Sequence, residues 1–159
     1  MSRMKKIGSS RVRSAGFGLL IILPWLMSSP AFSYEGSVDF FKRNGGGRKV
    51  DPWASCRLPI KTHTYKLKEH RVQNCGNDDV KSMQLIGSFP RGFKVRVYDN
   101  SAGHHNDDWT SVLVKKELIN ARIIIGTFED DFESHEIRVD YHRKNGLDGK
   151  VSRIDIEMP

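Results

Sequence analysis

The sequence predicts an all-β fold, and three observations lead to this prediction. Short runs rich in Val, Ile, Phe and Tyr recur through residues 34–159, as strands do, whereas helical periodicity is hard to find. Clusters of Gly, Asn and Asp separate these runs and indicate turns. The number and spacing of the runs suit a β-sandwich. Strands are predicted at residues 38–41, 63–68, 80–86, 94–98, 109–114, 122–128, 136–141 and 151–156, and a loop at residues 115–121.

Residues 1–33 are predicted to be a cleavable signal peptide. Five basic and no acidic side chains lie in residues 1–14, and an apolar run follows over residues 15–27. This run is shorter than the roughly 20 residues that a membrane-spanning helix needs. We expect cleavage after Ser33, export to the periplasm or the medium, and no membrane span afterwards. The alternative is an uncleaved anchor, because Pro30 and Phe32 make an imperfect cleavage site.

Charge gives no reason to expect a nucleic-acid partner. The chain has 26 basic and 19 acidic residues, and five of the basic ones lie in the predicted signal, so the mature part carries a net charge of only +2. A band of Lys61, Lys66, Lys68 and Arg71 remains. We interpret it as protection of an exposed edge strand against pairing, rather than as a site for an anionic polymer.

The mature chain is predicted to be one disulfide-bonded domain. Residues 34–159 suit a single core, since domains are commonest at about 100–150 residues. Cys56 and Cys75 are the only cysteines, and export to an oxidising compartment favours their pairing. A zinc site would need further ligands at suitable spacing, which the sequence does not offer.

One pattern occurs three times in the sequence and predicts much of the core. Residues 77–85, 106–114 and 148–156 each open with polar residues and then place apolar residues at the fourth, seventh and ninth positions. Polar side chains at the start bond the backbone and set a turn. Each segment is therefore predicted to be a turn that leads into a buried strand. The remaining aromatic residues, and Trp53 and Trp109 with them, are expected to pack in the core or at the sandwich edge.

These segments resemble the βγ-crystallin superfamily. Its Greek-key unit opens with an aromatic strand and a Gly-rich turn, as at residues 38–48, and closes on an Asn/Asp-rich stretch that leads into the last strand, as at residues 77–85. The resemblance implies a sandwich of two Greek keys, at residues 37–86 and 93–157. The second would open at residues 95–103 and close at residues 148–156.

The resemblance also implies calcium binding, because the family's Asn/Asp-rich stretches offer the oxygen ligands that Ca²⁺ prefers. The first stretch has Lys81 where the family has a Ser or Thr ligand, which would disable that site, and Gly149 and Arg153 would weaken the last one. Calcium is therefore expected to be at most an accessory, and the alternative at residues 106–111 is a solvated turn. The residues that would hold calcium are Asn106, Asp107, Thr110, Ser111, Asp148 and Ser152.

The predicted function is that of a small exported binding module without catalytic activity. We expect a monomer that recognises a protein or a cell-surface component, as an inhibitor or effector does. The alternative is a secreted metal-dependent hydrolase or toxin, because imidazole and carboxylate groups suit zinc or manganese. No second cluster of such residues completes a site in the sequence. The hydrolase residues would be His104, His105, Asp107 and Asp108.

Overall fold

The described part of the chain is built from ten β-strands. The computed structural model describes residues 33–46, 54–69 and 75–159, and no helix occurs in these ranges. Trp53, Arg71 and the predicted signal peptide apart from Ser33 lie outside the described residues. The all-β prediction is confirmed. The strands are β1 (Gly36–Phe41), β2 (Cys56–Pro59), β3 (His63–Lys66), β4 (Ser82–Phe89), β5 (Lys94–Tyr98), β6 (Trp109–Val114), β7 (Leu118–Ile125), β8 (Phe132–Glu133), β9 (Ile137–His142) and β10 (Arg153–Glu157).

The strands form two antiparallel sheets. The first half of the chain (β1–β4) and the second half (β5–β10) each contribute one strand to the sheet formed mainly by the other half. The four-stranded sheet has the order β2-β1-β4-β7, and the six-stranded sheet has the order β3-β10-β5-β6-β9-β8. Strand β3 leaves the first half to pair with β10, and β7 leaves the second half to pair with β4. Each sheet therefore needs strands from both halves of the chain.

The core lies between the two sheets, and the repeated pattern predicts core residues in and just before β4, β6 and β10. Eight of the nine apolar positions are buried, with exposed fractions of 0–2 %. The exception is Trp109, which lies half-buried on the outer face of the six-stranded sheet, so the expectation that it packs in the core is wrong. The eight buried residues are Val80, Met83, Leu85, Val112, Val114, Val151, Ile154 and Ile156.

The predicted disulfide is present. Cys56, the first residue of β2, is bonded to Cys75, and the two Cα atoms are 5.0 Å apart. Both cysteines are buried in the core. The bond fastens β2, which among the described strands pairs only with β1, to the chain just before the first Asn/Asp-rich stretch.

Three stretches differ from the predicted strands. Strands β2 and β8 were not predicted, because β2 contains Arg57 and Pro59 and β8 is only two residues long. Strand β7 spans Leu118–Ile125, so the loop predicted at residues 115–121 ends four residues early, and the strand predicted at residues 122–128 ends three residues early. Asn120 adopts a positive φ of 48°, which an edge strand such as β7 tolerates.

Candidate functional site

Asp108 lies just before β6 and holds the loop between β9 and β10 in place. Its buried carboxylate accepts backbone N–H groups from Lys144 (2.7 Å), Asn145 (2.9 Å) and Gly146 (3.1 Å), and the Tyr141 hydroxyl at 3.3 Å. Burial acts to raise the pKa of Asp108, but these donors outweigh it and hold the pKa below its ordinary value. Both carboxylate oxygens are therefore used in structural hydrogen bonds.

Asp108 is also part of an acidic trio with Asp99 and Asp107. One carboxylate oxygen from each lies within 4.8 Å of the others. Burial and then the charge of Asp107 raise the pKa of Asp99, while the cationic side chain of Lys150 opposes the rise. A cation would relieve the repulsion in this trio, but Lys150 already supplies part of that relief. With Asp108 occupied, the trio offers a divalent ion only the oxygens of Asp99 and Asp107, and Asp107 Oδ1 already accepts the Asp108 backbone N–H at 3.1 Å.

Of the six residues predicted to bind calcium, only Asp107 belongs to this trio. Asp148 forms an ion pair with Lys81 at 3.1 Å, which joins the last Asn/Asp-rich stretch to the first. Ser152 lies 3.4 Å from Asp78 and is buried, and Thr110 is buried with its hydroxyl donated to the Phe128 carbonyl. Asn106 is exposed in the loop before β6, and Ser111 lies within that strand.

Asp99 is a candidate ligand that the sequence reasoning missed. It directly follows the last residue of β5, and its backbone N–H donates to the Asp108 carbonyl at 3.0 Å. The sequence did carry a signal for it. Asp99 is an acidic residue at the end of a predicted strand, and a hairpin places it opposite the Asn106–Ser111 stretch.

The predicted hydrolase residues have different environments. His104 and His105 are both exposed in the loop between β5 and β6. The His105 ring packs edge-on against Tyr98 (5.7 Å between centroids) and Trp109 (4.8 Å). Asp108 is committed to the hydrogen bonds described above. General acid–base catalysis uses a base that is hydrogen-bonded to a carboxylate partner. These four described residues form no such pair.

A row of side chains crosses the outer face of the six-stranded sheet. Cross-strand pairing places Lys66 beside Arg153, Arg153 beside Tyr98, Tyr98 beside Trp109, and Trp109 beside His142. Directly paired residues on antiparallel strands point to the same face. The five side chains therefore form one line across β3, β10, β5, β6 and β9, which we call the aromatic row.

Neighbouring groups in the aromatic row are in contact. The Arg153 guanidinium lies 5.6 Å from the centre of the Tyr98 ring, within the range of a cation–π interaction. The Trp109 and His142 rings are stacked, with centroids 5.7 Å apart and planes inclined by 18°. The Trp109 indole Nε1 is buried and has no hydrogen-bond acceptor among the described residues.

Arg153 is held rigidly in the aromatic row. Its guanidinium donates two hydrogen bonds to Asp155, at 2.8 and 2.9 Å, and one to the Ala102 carbonyl at 2.7 Å. The hydrogen bond to Asp155 is the main reason that the pKa of Arg153 is raised. Gly103 has a φ of 74°, and a Cβ there would come within 2.7 Å of the guanidinium. A side chain at Gly103 would therefore displace the guanidinium, and the positive φ also favours glycine at this position.

A polar groove of about 560 Å³ runs beside the aromatic row. Its walls carry the paired charges of Arg153 with Asp155 and of Arg96 with Glu157. Tyr98 is only 2 % exposed, because Arg153 and His105 pack against its ring, and Trp109 is half-buried. The row and the groove therefore offer a ligand mainly the exposed His142 ring, part of Trp109 and fixed hydrogen-bonding groups. The other residues lining the groove are Thr62, His63, Thr64, Tyr98, Gly103, His105 and Ile156.

Two further findings bear on function. Among the described residues, no helix has the length and hydrophobicity that crossing a membrane would require. Comparisons with protein-family models, with curated proteins and with solved structures find no match to this chain.

Proposed function

We propose that the chain is an exported binding module of βγ-crystallin type, which recognises a protein or a cell-surface component through the aromatic row and catalyses no reaction. The observation that carries this proposal is the continuous line of Arg153, Tyr98, Trp109 and His142 on one sheet face. The buried disulfide is compatible with export, because disulfides persist in oxidising compartments.

The strand order supports the Greek-key part of the proposal. In a Greek key, the fourth strand returns to lie beside the first. Here β4 lies beside β1, and β10, the last strand of the second half, lies beside β5. The third strand of each half crosses to the opposite sheet, and an Asn/Asp-rich stretch precedes both β4 and β10. The hairpin of β8 and β9 is an addition to this repeated arrangement.

The composition of the aromatic row supports recognition. Trp, Tyr and Arg are the residue types that contribute most often to the binding energy of protein interfaces. Trp109 occupies the position in the repeated pattern that is apolar and buried in the other two copies, yet it lies on the sheet surface. Its unpaired indole N–H is costly where it stands, by about 1–3 kcal/mol, and a ligand acceptor that reorients the ring would recover this energy.

Replacing Trp109 with alanine will remove partner capture without unfolding the protein. Immobilised residues 34–159 would be exposed to envelope and medium proteins and polysaccharides of the producing cell, and the retained material quantified by mass spectrometry. We expect Trp109→Ala to retain at least about tenfold less of the specific ligand, as for an interface hot spot. The matched control is Ile119→Ala, which removes an apolar side chain that is 52 % exposed on the other sheet. Equal retention by both variants would contradict the proposal.

The hydrolase alternative predicts a different outcome. If His105→Ala abolished a hydrolytic activity of the secreted protein and left its melting temperature unchanged, the module would be an enzyme. The binding proposal rests instead on Asp108 being committed to the backbone and on His105 being packed against the aromatic row.

Calcium is proposed as an accessory ligand of the acidic trio. Because Asp108 and one oxygen of Asp107 already accept hydrogen bonds and Lys150 competes with the ion, we expect weak binding. Calcium at about five times its dissociation constant stabilises the folded state by about 1 kcal/mol. The melting temperature in millimolar Ca²⁺ should therefore rise by about 3–5 °C over that in EDTA, and Asp99→Asn should abolish the rise. Identical melting curves in Ca²⁺ and EDTA would exclude this role.

A further inference from the structure

The groove beside the aromatic row is lined by charges that cancel. Among the described residues that line it, the formally charged side chains are two cations and two anions, Arg96, Arg153, Asp155 and Glu157. Arg153 pairs with Asp155 at 2.8 Å, and Arg96 pairs with Glu157. A charged ligand would have to break one of these pairs or meet a like charge beside its partner, and both are unfavourable. The groove therefore favours a ligand without net charge.

The ion pairs place hydrogen-bond donors and acceptors side by side. The Arg153 guanidinium has five N–H donors, and its bonds to Asp155 and the Ala102 carbonyl use three of them. A carboxylate has about four lone-pair sites, and Arg153 occupies two of those on Asp155. The Tyr98 hydroxyl lies nearby, because burial and then the charge of Asp155 raise its pKa, and two neighbouring guanidinium groups oppose the rise. The pair thus keeps both donors and acceptors for a ligand.

Hydroxyl groups match this arrangement, because each one can donate and accept. Of two hydroxyls on neighbouring carbons, one can accept from Arg153 while the other donates to Asp155. Sugars carry such neighbouring hydroxyls around the rim of the ring and C–H groups on its faces. Two exposed imidazole rings, His63 and His105, also line the groove and offer surface to those faces.

The polar groups of the groove are already held in place. The side chains of Arg153 and Asp155 are only 20 % and 11 % exposed, and the Ala102 carbonyl fixes the guanidinium from the other side. Binding therefore immobilises few side chains, which favours affinity. The volume of about 560 Å³ falls in the roughly 300–1,000 Å³ range of small-ligand sites.

An extended peptide finds no strand edge in the middle of this face. Strand β10 lies between β3 and β5, and β5 lies between β10 and β6, so both strands beneath the groove are paired on both sides. A ligand here is recognised by side chains and not by main-chain pairing. The groove therefore suits a short chain of sugar units better than an added strand.

We propose that this groove binds a neutral oligosaccharide of a cell surface, with neighbouring hydroxyls bridging Arg153 and Asp155. The inference rests on the proposed function and narrows it, because it assigns a ligand class to the recognition face. It fails alone if the face recognises a protein.

Chemical treatment of the captured material tests the ligand class. Immobilised residues 34–159 would be offered an extract of the envelope and medium of the producing cell. Periodate cleaves the carbon–carbon bond between neighbouring hydroxyls, so treating the extract with it should lower retention at least about tenfold. Protease treatment should not change retention. Molar salt should not elute the ligand, because a neutral ligand is not held by ion pairs.

The opposite results separate this inference from the proposed function. Retention that protease abolishes and periodate leaves intact would overturn the oligosaccharide ligand, while loss of that retention in Trp109→Ala would keep the proposed function. Elution by molar salt would show a charged ligand and would also overturn the inference. An extract from which nothing is retained would overturn both.

Two variants and one control locate the binding. Asp155→Asn turns one acceptor into a donor and should weaken retention at least about tenfold. Glu157→Gln changes a more exposed carboxylate of the groove and should also weaken it, so the test stands if Asp155→Asn does not fold. The matched control is Asp140→Asn, since Asp140 pairs with Arg138 at 2.7 Å in the same Arg-x-Asp arrangement but does not line the groove. Retention by Glu157→Gln and folded Asp155→Asn equal to that by Asp140→Asn would overturn the proposal.

Discussion

Replacing Asp108 with asparagine will lower the free energy of unfolding by about 3 kcal/mol, because backbone N–H groups lose a buried, charged acceptor, and hydrogen bonds to charged groups contribute about 1.5–3 kcal/mol each. The carboxylate now accepts three backbone N–H groups from residues 144–146. An amide presents one oxygen and turns its NH₂ group toward the remaining donors. Urea unfolding of residues 34–159 would measure the loss.

The control for this variant is Asp130→Asn, which neutralises an exposed carboxylate in a loop. We expect it to change stability by no more than about 0.5 kcal/mol. An Asp108→Asn variant as stable as the wild type would show that this side chain does not stabilise the loop between β9 and β10.

The same carboxylate gives stability a pH dependence of known sign. The folded pKa of Asp108 is lowered, so the folded state favours the ionised form. Its contribution is complete above the unfolded pKa of about 3.9 and is lost as the pH falls through the lower folded value. The difference in stability between wild type and Asp108→Asn should therefore shrink in acid below about pH 4.

Removing the disulfide will cost nearly as much stability. The Cys56–Cys75 bond closes a loop with a sequence separation of 19, which is worth about 3 kcal/mol in the chain-entropy model. Strand β2 is an edge strand with a single neighbour, so we expect it to detach first. Cys56→Ala/Cys75→Ala should lower the melting temperature by about 10 °C.

Reductant provides the matched control for the disulfide. Dithiothreitol should lower the melting temperature of the wild type to that of the double alanine variant and leave the variant unchanged. A wild-type melting curve that reductant does not move would show that the bond contributes nothing to stability.

The buried strands could be predicted from the sequence because their side chains alternate between core and solvent. The predicted bounds of β5 and β6 agree with the structure, and the repeated pattern identifies eight core residues, six of them in three separate strands and two just before a strand. Edge strands gave weaker signals. Strand β2 carries Arg57 and Pro59, which an edge tolerates and a central strand does not.

The aromatic row could not be predicted, because it depends on the register between strands that are distant in the sequence. Arg153, Tyr98, Trp109 and His142 come from four strands, and a shift of one residue in any pairing would move a member to the core face. Trp109 was misplaced because the repeated pattern treats it as one more core residue. Departures from such local rules are expected where a residue has a functional rather than a packing role.

The measurement that most directly tests recognition through the aromatic row is an NMR titration of residues 34–159 with the captured ligand. Residues 34–159 contain two tryptophans, Trp53 and Trp109, so Trp109→Phe assigns the indole signal. We predict that the Trp109 indole N–H and the backbone amides of Tyr98, His105 and Arg153 shift together at saturation. Saturated binding that leaves the Trp109 indole unmoved would contradict the proposed role of this sheet face.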